Sequence, residues 1–494
     1  MRNSFKKNEC ENNKNICVVA YKLDKFIDPE KVFMNLFSDK EYSFWLDSSR
    51  VEKNLARFSF MGTNDGPLSK VISYSNKKIQ LIENNKEVQI DESIFSYLKR
   101  QLKEMYQQSK ELPFDFNGGF VGYFGYELKN ECGSEEKHIS ESPDAMFIFA
   151  DRIIAFDYEE ECIYLVNVVK SDEKEKSKEW FLEMKEKLKD IPDIPKLNIN
   201  SYTNKEPIEF KFAQNHLQYI DSIRKSKDLI LDGETYEVCL TNRINVNEKL
   251  NPLDTYRILR DINPAPYSAL LKFGELNILS SSPERFLKID RNGVVEAKPI
   301  KGTIARSSNP DEDRELAEKL RTSEKDRAEN LMIVDLLRND LGRVCEIGSI
   351  NVPKLMAIES YETVHQLVST IRGTLRKDLA PIDCIKASFP GGSMTGAPKI
   401  RTMKFIDELE TDARGVYSGS IGFLGLNGTV DLNIVIRTIV MSKDKASVGV
   451  GGAIVILSDE ESEFEETILK GKALIKAIVL SKYGEFSEEL YTLQ

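Results

Sequence analysis

Pro299-Ile300-Lys301-Gly302-Thr303 is the stretch on which the reading of this chain turns. It sets a lysine between a proline and a glycine, the residues that punctuate turns. A lysine offers a primary amine as an attacking group. At a reference pKa near 10.4, only about one lysine in 2,500 is neutral at pH 7. Such an amine attacks only if a nearby cation or loss of solvent lowers its pKa. Taken alone, the segment is a lysine in a turn, and a solvated surface lysine is the ordinary case. The rest of the chain changes that reading.

The 494 residues are enough for one large domain or several ordinary ones. Apolar residues make up 41%, which permits a sizeable core and argues against disorder. Lysine and arginine total 69 against 80 aspartates and glutamates, a net charge of −11. That balance disfavours nucleic acid and membrane surfaces as partners, while a local basic pocket for an anionic substrate stays open. The seven cysteines (Cys10, Cys17, Cys132, Cys162, Cys239, Cys345, Cys384) are scattered and odd in number, without a CxxC pair. Neither a zinc site nor a disulfide framework is suggested. The start, Met1-Arg2-Asn3-Ser4-Phe5-Lys6-Lys7, leads into polar residues without an apolar signal region. The best apolar run, 433–441, is too short for a membrane span and is broken by Arg437. A cytoplasmic, soluble protein is expected.

Segments 17–21, 70–75, 78–82, 145–156 and 162–169 have the β-branched and aromatic composition of strands. Gly118-Gly119-Phe120-Val121-Gly122-Tyr123-Phe124-Gly125-Tyr126 alternates glycine with aromatics, as where backbones approach closely in a sheet. A Lys/Glu-rich amphipathic helix is expected over 170–189, with Trp180, Phe181, Met184 and Leu188 as its apolar stripe. The proline-punctuated stretch 191–207 reads as a linker between regions 1–190 and 208–485, the second carrying most of the candidate chemistry.

In that second region, Ser458 and Glu461 fit a capping box. The helix it opens carries Glu463, Glu466 and Lys470 at i, i+3 and i+7, on one face. Paired carboxylates can hold a hard cation such as Mg²⁺, with the lysine for an accompanying anion; a solvated charged face is the plainer alternative. A second helix should start at Ser323 and stop at Gly342, with Glu329 beside its apolar residues. Pro390 to Lys399 forms a glycine-rich loop without a Walker ending, and Pro398 suits a first helical position. Its amides could cradle a carboxylate. Gly449-Val450-Gly451-Gly452 interrupts a strand, implying a bulge or a close ligand. Arg437 lies in an expected strand over 432–441 and calls for a carboxylate partner. His365, one of three histidines, is either structural or catalytic. Glu284 follows a strand, where partial burial would give it the raised pKa of a general acid, unless it pairs with Arg285.

Together and in this order these segments resemble the chorismate-binding enzymes, which include anthranilate, aminodeoxychorismate, isochorismate and salicylate synthases. The resemblance is strong over 210–480. It is carried by Ser282-Pro283-Glu284-Arg285-Phe286, Pro299 to Thr303, Ala328-Glu329-Asn330-Leu331, 335–343, Val364-His365, 389–399, Ile436-Arg437-Thr438 and Glu463 to Lys470. It is weaker in Trp45-Leu46-Asp47-Ser48 and 118–127. Lys301 is similar to the lysine of the aminodeoxychorismate synthase component I branch, where anthranilate synthases usually carry alanine. Glu237 aligns where isochorismate and salicylate synthases carry a water-activating lysine, and where many bacterial aminodeoxychorismate synthases carry glutamine.

The resemblance implies an α+β fold of two large packed antiparallel sheets flanked by helices, with the two regions interleaved in one sandwich. It implies Mg²⁺-dependent amination of chorismate at C4, giving 4-amino-4-deoxychorismate for 4-aminobenzoate and folate. Lys301 would be the nucleophile, Glu284 the acid, and His365 a pocket residue. Glu329, Glu466 and Glu463 would hold Mg²⁺. Arg437, Lys470, Gly451, Gly452, Thr303, Ser393 and Tyr417 would bind substrate. Ser48, Pro266, Tyr267 and Ser268 would line a tryptophan pocket, regulatory or structural. No Gly-x-Cys-x-Gly elbow of a glutaminase is present, so ammonia is expected from a separate glutamine amidotransferase subunit, and a fused lyase is not expected. Anthranilate synthase component I is the rival reading; a non-catalytic chorismate- or tryptophan-binding subunit is the rival of another class.

Overall fold

The computed structural model describes residues 15–51, 56–84, 86–108, 112–135, 137–194, 197, 206–361 and 364–494. The polar start at 1–14, most of the expected linker and Glu362-Thr363 beside His365 lie outside them. The described residues form two large sheets of 13 and 12 strands, with helices against them. Pairing is antiparallel except where Ile208–Phe212 runs parallel to Tyr491–Leu493.

Both halves of the chain build both sheets. In the larger sheet Tyr42–Asp47 pairs with Tyr267–Phe273, so N-terminal strands continue directly into C-terminal ones. In the smaller, Gly119–Phe124 pairs with Ser420–Gly425. The Gly122 register explains the glycine alternation. A Cβ there would lie 1.9 Å from the Met146 carbonyl oxygen, so no side chain fits. Phe120 and Phe124 pack with Phe147 and Phe149, from the neighbouring strand Ala145–Ala150, into a fully buried aromatic layer.

The chain passes from one sheet to the other at a few points, and these matter most. Leu276–Ser282 belongs to the larger sheet and Arg285–Ile289 to the smaller, so Pro283 and Glu284 form a crossing. Val430–Asn433 and Thr438–Ser442 make the return crossing through 434–437. The two crossings lie side by side, with Ile434 N donating to Glu284 O at 3.0 Å and Ser281 N to Arg437 O at 3.0 Å.

Several expected elements are corrected. The strand over 432–441 is two strands in different sheets, because Arg437 takes a left-handed φ of 52° at the crossing. The segment 145–156 likewise divides between the sheets, into Ala145–Ala150 of the smaller and Arg152–Asp157 of the larger, here without a left-handed residue at the crossing. The 170–189 helix spans only Lys176–Lys187, and its stripe of Trp180, Phe181, Met184 and Leu188 is buried. Ser323 does cap Glu324–Gly342, accepting from Asp326 N. The other cap is Asp459 rather than Ser458, for the helix Glu460–Tyr483; the Ser458 hydroxyl donates to Glu463 Oε1 at 2.6 Å instead. Pro398 is the N-cap, not the first residue, of Lys399–Leu409. Lys445–Ile454 runs through its glycines, pairing residue for residue with 238–246, with no bulge. A Gly449 Cβ would lie 2.1 Å from the Tyr417 ring, so side-chain approach is what excludes one.

Candidate active site between the two sheets

Lys301 sits not in a free turn but in a strand, Ile300–Ala305, whose register against Val364–Thr374 shifts between Ile300 and Thr303. Gly302 has a φ of 85°, and a Cβ there would come within 2.7 Å of the Asp326 carboxylate. Only glycine suits both demands. The shift directs Lys301 inward, where its side chain is 10% exposed.

Its ammonium meets carboxylates from other elements. Lys301 Nζ donates to Glu237 Oε1 at 3.1 Å and lies 3.8 Å from Glu329 Oε2. Glu237 opens the strand Glu237–Val246 of the larger sheet and is 0% exposed; Glu329 comes from the helix Glu324–Gly342. Burial works to lower the Lys301 pKa, but Glu237 and Glu329 overcome it and the net direction is upward. The expected lowering is therefore absent from the protein alone, where the carboxylates hold this lysine as an ammonium.

Glu284, at the first crossing, is buried, and burial pushes its pKa up to about 7 against Lys301 and hydrogen bonds from Ser393 and Ile300. That is the range of a general acid at neutral pH. Burial likewise pushes Glu329 up to about 7, Lys301 opposing and Glu237 reinforcing.

Arg437, at the second crossing, is mostly buried, and burial lowers its pKa against the pull of Tyr417 and Glu466. Its guanidinium makes no hydrogen bond or ion pair with a described residue. A buried guanidinium left so is prepared for an anion from outside. On the helix Glu460–Tyr483, Lys470 Nζ bonds Glu466 Oε1 at 2.7 Å and the Gly451 carbonyl at 2.8 Å. A Cβ on Gly452 would stand 3.0 Å from Glu463 Oε2 and 3.7 Å from Lys470 Nζ, so this backbone faces the same charged group.

The three candidate metal carboxylates do not form a ready cage. Glu463 Oε1 is held by Lys325 at 3.0 Å and by Ser458, and Glu466 by Lys470. Glu329, Glu463 and Glu466 all act on Lys325. Among the described residues, the one trio of metal-ligating groups within 4.8 Å of each other is Asp157, Glu160 and Cys162. Arg57 already neutralises Asp157 there. Hard carboxylate oxygens on two facing helices do suit Mg²⁺, provided it displaces lysine contacts.

The remaining candidates fall in distinct places. His365 is buried, with Nδ1 2.7 Å from Ser360 Oγ and Nε2 3.0 Å from Asp313 Oδ1, so both ring nitrogens are engaged. Thr303 is exposed beyond the strand shift. Tyr417 is buried beneath the Gly449 backbone. Ser48, Pro266, Tyr267 and Ser268 all line one cavity of about 330 Å³, where the Arg285 guanidinium lies 5.2 Å from the Tyr267 ring centre. A larger cavity of about 820 Å³ touches the site only through Tyr417 and Gly449.

Sequence reasoning noted Glu237 only through the resemblance, as the residue aligned with a water-activating lysine, without counting it among the site residues, and left out Lys325 and Asp313 altogether. Glu237 had a usable signal: a charged residue leading the otherwise uncharged Glu237-Val238-Cys239-Leu240. Lys325 and Asp313 lie on charged helix surfaces without one.

A family profile described as chorismate binding enzyme matches residues 43–476. An aminodeoxychorismate synthase of Arabidopsis thaliana, labelled chloroplastic, is 46% identical over 91% of this chain and 52% of its own length. An aminodeoxychorismate synthase of Streptomyces pristinaespiralis is 44% identical over 91% of this chain and 64% of its own. The chain thus spans about half to two-thirds of these curated relatives. The crystal structure of anthranilate synthase component I from Streptococcus pneumoniae TIGR4 superposes with a TM-score of 0.71 at 33% identity, covering 86% of this chain and 93% of that one. No described helix is long and apolar enough to cross a membrane.

Proposed function

The chain belongs to the chorismate binding enzyme family, and on that premise we propose that it aminates chorismate at C4, giving 4-amino-4-deoxychorismate on the way to 4-aminobenzoate and folate. The observation that carries the reading is Lys301, an amine set against Glu237 and Glu329 with buried Glu284 nearby; the resemblance puts it where the aminodeoxychorismate synthase branch has its lysine and anthranilate synthases usually have alanine. The identities of 46% and 44% to proteins named aminodeoxychorismate synthase support it.

In this mechanism Lys301 Nζ, once neutral, forms a bond to ring C2. Both conjugated ring double bonds shift, C1=C2 to C6=C1 and C5=C6 to C4=C5, the C4–O bond breaks, and protonated Glu284 gives its proton to the departing hydroxyl, which leaves as water. Ammonia then bonds to C4, both double bonds shift back, the C2–N bond breaks, and Lys301 leaves as a free amine. Arg437 takes the enolpyruvyl carboxylate, and Lys470 and the Gly451-Gly452 backbone border the ring carboxylate. Glu329, Glu466 and Glu463 would hold Mg²⁺, which supplies charge neutralisation at that carboxylate. Ammonia comes from a separate glutamine amidotransferase subunit. The cavity at Ser48, Pro266, Tyr267 and Ser268 is the proposed tryptophan pocket.

The test is incubation of the purified chain with chorismate, Mg²⁺ and an ammonium salt at mildly alkaline pH, with products identified by NMR and mass. A 4-amino product, convertible to 4-aminobenzoate by added lyase, is expected. Anthranilate with pyruvate would transfer the chain to the activity of its structural relative. No turnover, even with a glutaminase subunit added, would leave a binding protein.

A further inference from the structure

Glu237 is fully buried, yet only one of its carboxylate oxygens is used. Oε1 accepts from Lys301 at 3.1 Å, while Oε2 is buried with no hydrogen-bond partner. An unsatisfied carboxylate oxygen away from water is costly and uncommon in a native fold. The charges around it are also unequal. Glu237, Glu284 and Glu329 gather about Lys301, and the other nearby ammoniums are engaged elsewhere: Lys325 by Glu463, Lys470 by Glu466 and Gly451.

The position of Glu237 is fixed by its surroundings rather than by Lys301 alone. Its carbonyl accepts from Thr235 Oγ1 at 3.0 Å, and it pairs with Ala397 in the two-residue strand Gly396–Ala397. Two residues further on, the Cys239 carbonyl accepts from buried Arg414 at 2.8 Å. The backbone at the strand end is thus braced on both sides, and the carboxylate it carries is held by Lys301 through Oε1 alone.

We propose that Glu237 Oε2 is the docking point for a small nitrogen cation, ammonium, which becomes the second nucleophile of the reaction. A carboxylate binds ammonium by a charge-assisted hydrogen bond, and a neutral amide in its place loses most of that attraction. The bound ammonium passes one proton to Oε2: an N–H bond breaks, an O–H bond forms, and the freed lone pair belongs to ammonia beside Lys301. The inference rests on the amination reading and adds to it the site at which nitrogen is received. It separates this residue from the Mg²⁺ carboxylates, which stand on the two helices rather than on the strand.

The test compares the full chain with Glu237→Gln, which keeps an acceptor for Lys301. Ammonium saturation is measured at saturating chorismate and Mg²⁺, and Lys301 adduct formation without ammonium is followed by intact-protein mass. The variant should raise the KM for ammonium by about tenfold or more, the scale of a lost charge-assisted hydrogen bond. Adduct formation should not slow, since the variant removes a carboxylate that holds Lys301 as an ammonium, and the KM for chorismate and the Mg²⁺ requirement should move far less than the ammonium KM. An unchanged ammonium KM, or a change confined to Mg²⁺ dependence, overturns the proposal. If the wild-type chain forms no 4-amino product, the amination reading fails by itself. Thermal stabilisation by ammonium chloride over tetramethylammonium chloride then still decides the site: loss of that difference in Glu237→Gln upholds it, and its absence in the wild type or persistence in the variant sinks it. Should Glu237→Gln not fold, Glu237→Asp, which withdraws the charge by one methylene, is read the same way.

Discussion

Lys301 and Glu237 form an ion pair that joins the two sheets, the lysine from a strand of the smaller and the glutamate from a strand of the larger, at 3.1 Å. Both side chains are buried, so the pair is judged by what remains when one partner goes. Lys301→Ala leaves a buried carboxylate with neither oxygen bonded. A cost of about 3–5 kcal/mol is expected from such a broken pair. The double variant Lys301→Ala/Glu237→Gln should recover most of it, since the stranded charge is gone. Urea unfolding of the three proteins checks this. Both lysine variants should lack 4-amination while still binding chorismate; retained amination would remove the covalent lysine from the mechanism.

Glu284 should write its protonation into the pH profile. Burial holds its pKa near 7, up from about 4.5, so the acid form needed for C4–O cleavage is abundant below pH 7 and lost above it. Single-turnover loss of chorismate without ammonium, which isolates the first half-reaction and also needs Lys301 neutral, should speed up with pH to about 7 and level off above it, where loss of the Glu284 proton offsets the gain in neutral lysine. The same shift acts on stability. The folded carboxyl keeps its proton where the unfolded one has lost it, so this group's contribution falls between about pH 4.5 and 7 and is flat above. Glu284→Gln should abolish the step and remove the dependence of stability on pH between about 4.5 and 7.

Arg437 is expected to behave in the opposite way to a structural arginine. It has no described partner and is mostly buried, so Arg437→Gln removes a desolvated charge without stranding another. Thermal stability should hold or rise. Chorismate binding should weaken by about 10- to 100-fold, the worth of a charge-assisted hydrogen bond. A fall in stability with binding unchanged would make Arg437 a scaffold residue.

Much of this site was legible in the sequence because its residues are chemical exceptions within ordered patterns: a lysine beside a glycine in 299–303, glutamates one turn apart on a helix, an arginine among apolar residues. What could not be read was where the chain changes sheets. Leu432 to Met441 has the composition of one strand, and nothing in it reports that Arg437 takes a left-handed turn between two sheets. That turn and the Glu284 crossing place the two residues in adjacent segments, a long-range relationship that periodicity does not encode. The pairing of Lys301 with Glu237 was hidden for the same reason, and it reverses the direction of the lysine pKa foreseen from a nearby cation.

The carboxylates of the two helices give the last prediction. Without a divalent cation, lysines neutralise them: Lys325 holds Glu463 at 3.0 Å and Lys470 holds Glu466 at 2.7 Å. Metal binding at Glu329, Glu463 and Glu466 must therefore compete with an internal ammonium, and Lys325 is half-buried among all three. Lys325→Met should relieve that competition and lower the Mg²⁺ concentration needed for half-maximal chorismate binding. Glu466→Gln, which removes a ligand, should raise it. Mg²⁺ titrations of chorismate binding by calorimetry distinguish the two directions. If neither variant moves the midpoint, this face of the helices is solvated charge and the cation binds elsewhere; if both raise it, Lys325 holds the carboxylates in place for the metal instead of competing with it.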